Sequence, residues 1–119
     1  MLAPILYRSV RSCAPNAPAV HYCGRACAGW RASALGNPNR AVPGQPGATL
    51  PAYREHLRAV VRAGLAGQPS PAYDELLDLA RRHAQGQPLT LACWCPSMDT
   101  CHTSIVRDAI VWLAAHLPA

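Results

Sequence analysis

The stretch L89-T-L-A-C-W-C-P-S-M-D-T-C-H-T-S-I-V-R-D-A-I-V-W-L-A-A-H-L117 decides how this chain is read. "PLTLACWC" (88–95) is a short apolar run after a proline, as expected for a strand covered on both faces. From about Asp99 or Thr100 the period changes. Ile105, Val106, Ala109, Ile110, Leu113 and Leu117 fall on one side of a helix, with Trp112 beside the stripe. Between strand and helix lie Cys93, Cys95, Cys101 and His102. A buried strand that turns through a polar loop into an amphipathic helix is the repeating unit of α/β folds.

The rest of the chain fits that unit. "PILYRSVR" (4–11) and "AVHYC" (19–23) read as two short strands, separated by the turn chemistry of "CAPNAP" (13–18). A long polar loop covers 24–48, and loops of that length in compact domains are more often functional than idle. Thr49 is placed to cap a first helix, with Pro51 in its first turn and Tyr53, Leu57, Val60, Val61 and Leu65 on one face. Ser70 and Pro71 open a second helix, with a stripe of Tyr73, Leu76, Leu77, Ala80 and Ala84 and a stop at Gly86. The expected fold is a single domain over 1–119. It is a small three-layer, Rossmann-like α/β domain with a short, mostly parallel sheet and three to four helices. Such sheets hold ligands beyond the carboxyl ends of their strands, so residues 23–40 and 93–102 should meet at one edge.

The totals agree. The chain has 119 residues, one domain by size. It is 50% hydrophobic and 14% charged, the composition of a packed protein rather than a disordered one. All 11 basic residues are arginine and the formal net charge is +5, which favours anionic partners. The arginines look scattered, and Arg81-Arg82 is their only adjacent pair. No apolar run approaches the roughly 18 residues of a membrane span, and the start "MLAPILYRSVR" lacks the form of a signal peptide. The expectation is a cytoplasmic protein with reduced thiols and no membrane contact, its six cysteines not a disulfide framework.

Three motifs in order, "V-x-Y-C-G-R" (20–25), "L-G-N-P" (35–38) and "L-x-C-W-C-P…C-H" (91–102), resemble domain of unknown function family 4326, found in bacteria and bacteriophages. The resemblance spans nearly the whole chain. The loop "PSMD" and Thr103 depart from the usual C-W-C-x-P-x-x-C-H-G form, and residues 26–33 look like an insertion. The strand, loop and Cys-His helix start also resemble domain of unknown function family 488. Both resemblances imply a Rossmann-like fold and a nucleotide or nucleic-acid context in phage or bacterial metabolism, without naming a reaction.

The Cys/His cluster admits three readings. As a metal site, Cys93, Cys95, Cys101 and His102 supply soft ligands. But C-x-C is tighter than the usual zinc knuckle, and adjacent Cys101 and His102 diverge on a helix. Small buried hydrophobes are the simpler account of Cys93 and Cys95, so no metal or other cofactor is assigned. As a reactive site, Cys101 in a helix first turn beside His102 has a physical route to a thiolate, with the two as the catalytic candidates. No third, orienting group is evident. As a ligand pocket, the amides at 101–104 form an anion site, with hydroxyls from Thr103 and Ser104. Arg25, Gly36 and Asn37 approach from the facing loop, Cys93 forms the floor, and Trp94 or Trp30 stacks on a base.

This last reading is the preferred one: a nucleotide-like anionic small molecule held at the strand ends. A cysteine-based zinc module and a basic domain binding nucleic acid are the alternatives. Whether the chain is an enzyme stays open. His56 and His83 read as solvated helix-surface residues, His116 as a helix C-terminal cation, and His21 as an ordinary strand position.

Overall fold

The computed structural model describes residues 4–10, 20–24, 33–36, 44, 48–93 and 101–117. Three parallel strands form one sheet: β1 (Ile5–Ser9), β2 (Val20–Tyr22) and β3 (Leu89–Cys93), in the order β1-β3-β2. Three helices accompany it: α1 (Leu50–Leu65), α2 (Pro71–Ala84) and α3 (Thr103–Ala115).

β3 is central because its sequence suits no other position. Leu89, Leu91, Ala92 and Cys93 are all buried, as expected of a strand flanked on both edges. Ser9 is opposite Cys93, and Tyr22 is opposite Ala92. The Cys23 amide continues the ladder by donating to the Ala92 carbonyl at 2.9 Å. All three carboxyl ends therefore lie on one edge, and Cys23 and Cys93 are neighbours there.

The helices cover one face. Leu89 and Leu91 belong to one core with Tyr53 and Leu57 of α1, Leu76 and Leu79 of α2, and Val106, Ile110 and Leu113 of α3. The opposite face carries a small cluster of Val10, Val20, Tyr22 and Ala92, and Leu6 there is 53% exposed. The described residues thus make two layers, and the expected second helical layer is not found among them. Chain length supplies a reason. α1 and α2 both fall within the β2–β3 connection, whereas residues 10–19 between β1 and β2 contain Pro15 and Pro18 and are short for a helical crossover.

The helix boundaries follow local chemistry. Ser70 Oγ accepts from the Tyr73 amide, and Pro71 fills the first helical position, where its missing N–H costs nothing. Gly86 ends that helix with φ +81°. Thr49 precedes α1 as expected, but its hydroxyl makes no capping bond. The α2 stripe differs from the sequence expectation. Leu79 and His83 are buried and Ala84 is exposed, because α3 packs against α2 and widens the buried face. His83 is therefore a core residue, not a solvated one. Leu65 at the end of α1 is 55% exposed, outside the core it was expected to join.

Candidate metal centre

α3 begins at Thr103, later than the apolar period suggests, and Cys101 and His102 precede it. This corrects two expectations. Cys101 is not in a helical first turn. Nor do adjacent Cys101 and His102 diverge, since neither is inside the helix. His102 occupies the N-cap position but makes no capping bond with its side chain. Instead its Nε2–H donates to the Cys23 carbonyl at the end of β2. That bond requires a hydrogen on Nε2, and the other ring nitrogen, Nδ1, faces Cys101 Sγ at 3.7 Å. Cys93 Sγ completes the group. The ligand atoms of Cys93, Cys101 and His102 all lie within 4.8 Å of one another, and all three residues are buried.

The surroundings hold this arrangement. The Tyr53 ring meets His102 edge-on at 5.0 Å, and its hydroxyl donates to the Leu35 carbonyl at 2.7 Å. Burial pushes the Tyr53 hydroxyl far above its usual range, with Cys23, Cys101, Glu75 and Cys93 adding, so it stays a donor. Burial likewise pushes the Cys23 thiol well up, and Glu75, Cys93 and Cys101 add to it. Cys23 Sγ–H points to the His21 carbonyl at 3.8 Å, and none of the described cysteines is in a disulfide.

The loop after β2 is fastened by a residue that the motifs did not single out. Glu75 of α2 accepts from His21 Nε2 at 3.0 Å, from Ser33 Oγ, and from the Ala34 amide at 3.3 Å. Its carboxyl gains from those three donors more than it loses by burial, and is held below the usual range. The Ser33 amide then reaches the Gly24 carbonyl at 2.9 Å. A Cβ on Gly36 would come within 3.5 Å of the Gly24 backbone, so what approaches Gly36 closely is the chain itself. Residues 23–24 and 33–36 therefore do meet Cys101 and His102 at one sheet edge.

Of the other expected pocket residues, Ser104 is engaged locally. Its hydroxyl and amide both donate to the Cys101 carbonyl, at 2.9 and 3.1 Å. Thr103 Oγ1 is fully buried with no hydrogen-bond partner among the described residues. Arg25, Asn37, Trp94, Trp30 and Cys95 lie outside the described residues.

A family model, Domain of unknown function (DUF4326), matches residues 8–112. The chain belongs to this family. The match takes in all three motifs, and each has described residues at the same edge: Cys23 and Gly24, Leu35 and Gly36, and Cys93 with Cys101 and His102. No curated protein and no solved structure shows a significant match. Among the described residues no helix is long and apolar enough to cross a membrane.

The geometry also compares well with a metal site of known dimensions. Zinc bonds of about 2.3 Å to sulfur and 2.0 Å to nitrogen put a tetrahedral sulfur–nitrogen pair about 3.5 Å apart and a sulfur–sulfur pair about 3.8 Å apart. The Cys101 Sγ to His102 Nδ1 separation of 3.7 Å is close to the first of these. A histidine that donates its second ring N–H to a backbone carbonyl is the usual way such a ligand is oriented. The sequence signal against this site was its C-x-C spacing, but the convergent set is Cys93 with the later Cys101-His102 pair.

Proposed function

We propose that this chain is a metal-binding α/β domain in which Cys93, Cys101 and His102 hold zinc or a similarly soft divalent ion. One observation carries the reading: three buried ligand atoms lie within 4.8 Å, and the histidine is already oriented by the Cys23 carbonyl. Two sulfurs and an imidazole nitrogen select zinc among the common divalent ions. The ion would join the end of β3 to the start of α3 and so contribute folding energy. A cytoplasmic setting, with thiols kept reduced, suits such a site.

A second reading uses the same atoms. Cys101 Sγ beside His102 Nδ1, with the Cys23 carbonyl orienting the ring, is a nucleophile, a base and an orienting group. Burial favours the metal over this, since Cys101 is 1% exposed and Cys93 brings a second thiol to the imidazole. The nucleotide-like ligand is the third. Its support among the described residues is the unpartnered, buried Thr103 Oγ1 next to the cluster.

Elemental analysis of untagged protein purified without chelator separates them. The metal reading expects about one zinc per chain, lost in Cys101→Ser and in His102→Gln. Folded protein with under about a tenth of an equivalent would defeat it. Rapid alkylation of Cys101 in that metal-free protein, abolished in His102→Gln, would favour the nucleophile. A thermal shift with nucleotides but not with zinc would favour the anionic ligand.

A further inference from the structure

Arg54, Arg58 and Arg62 are four residues apart on α1, so they stand on successive turns, about 6 Å per step along the axis. With Trp112 of α3 they line a groove of about 560 Å3, floored by Leu57 and Ile105. The groove shares no lining residue with the cysteine cluster. Its one lining carboxylate, Asp108, pairs with Arg107 at 3.2 Å, also between exposed side chains. Arg58 pairs with Glu55 at 3.0 Å, but both side chains are more than half exposed and such a pair is worth little. Arg54 and Arg62 make no ion pair among the described residues.

The opposite wall, from α3, carries one aromatic side chain, Trp112, which is 47% exposed. Its ring stacks on His116 at 4.0 Å and 19°, and His116 Nδ1–H is anchored to the Trp112 carbonyl at 2.7 Å. A row of guanidiniums across the groove from an exposed indole offers phosphate contacts and base stacking together. The occupants differ in how well they use it. A second copy of this chain would bring the same arginine row against this one, at a cost in like charge. A mononucleotide would engage one step of a row that extends over two. A strand whose phosphates succeed one another along the groove engages all three arginines.

We infer that the α1–α3 groove binds single-stranded nucleic acid, its phosphates along Arg54, Arg58 and Arg62 and a base on Trp112. The test is fluorescence anisotropy of a labelled oligothymidylate of about 15 nucleotides across a salt series. Three phosphate contacts predict that log K falls against log salt with a slope of about −2 from this groove. The Arg54→Ala, Arg58→Ala, Arg62→Ala triple variant should remove that slope and weaken binding at low salt more than tenfold. Trp112→Leu should weaken binding about tenfold, as expected for loss of one stacked base. Arg81→Ala, an exposed arginine on α2, should change nothing, and circular dichroism confirms that each variant is folded. No binding at low salt, or a slope unchanged in the folded triple variant, overturns the inference. So does saturation by thymidine monophosphate as tight as by the oligomer. A dimer in sedimentation analysis that dissociates on Trp112→Leu would assign the groove to self-association instead.

Discussion

Replacing Tyr53 with phenylalanine removes one oxygen from the centre of the molecule and nothing else. Tyr53 is 0% exposed, and its hydroxyl donates at 2.7 Å to the carbonyl of Leu35, itself 1% exposed. The phenyl ring retains the shape and the edge contact with His102, so no cavity term enters. What remains is a buried carbonyl with its donor gone, which costs about 1–3 kcal/mol. An unfolding entropy of about 2.1 cal/mol/K per residue gives about 0.25 kcal/mol/K for 119 residues. The expected fall in Tm is then about 4–12 °C. Because the hydroxyl is held protonated by burial, the loss should not vary with pH across the neutral range. Thermal and urea unfolding of the parent and Tyr53→Phe chains measure it. A fall of less than about 2 °C would mean that the Leu35 carbonyl has another donor, and would refute the claim that Tyr53 ties the 33–36 loop to α1.

Two further outcomes follow from close contacts. A Cβ on Gly64 would come 2.1 Å from the buried ring of Tyr73, so Gly64→Ala should destabilise by about 1–3 kcal/mol despite alanine's better helix propensity; a stabilised variant in urea unfolding contradicts this packing. Glu75 has a lowered carboxyl pKa, so its contribution is present above the unfolded value of about 4.3 and is lost as pH falls through the folded value below that. Glu75→Gln should therefore be about 1–2 kcal/mol less stable than the parent at neutral pH, with the gap closing in acid; a gap that stays constant through the acid range would show that the carboxylate charge plays no part.

The β3-to-α3 unit was readable in the sequence because its two periods are long and clean. The caps of α2 were readable because Ser70, Pro71 and Gly86 act locally. The start of α3 was not, since the apolar period continues outward from Thr103 while the side chain of His102 is taken by Cys23, some 79 residues away. That one long-range bond also hid the metal geometry, because on a helix Cys101 and His102 would part. Glu75 escaped notice for a related reason. It lies on the half-buried flank of an ordinary helix, and its partners His21, Ser33 and Ala34 are brought to it only by the strand order. The arginine row had a legible four-residue spacing, but its meaning needed α3 and Trp112 on the other side. The expected second helical layer came from the order of strands and helices, and the described residues carry helices on one face of the sheet.

Zinc K-edge absorption spectroscopy on the purified chain tests the central claim most directly. A site built from Cys93, Cys101 and His102 predicts a sulfur shell at about 2.3 Å together with a nitrogen shell at about 2.0 Å, the sulfur count dropping by one in Cys93→Ser. A shell of nitrogen and oxygen alone, or a sulfur shell unchanged in both Cys93→Ser and Cys101→Ser, would contradict it.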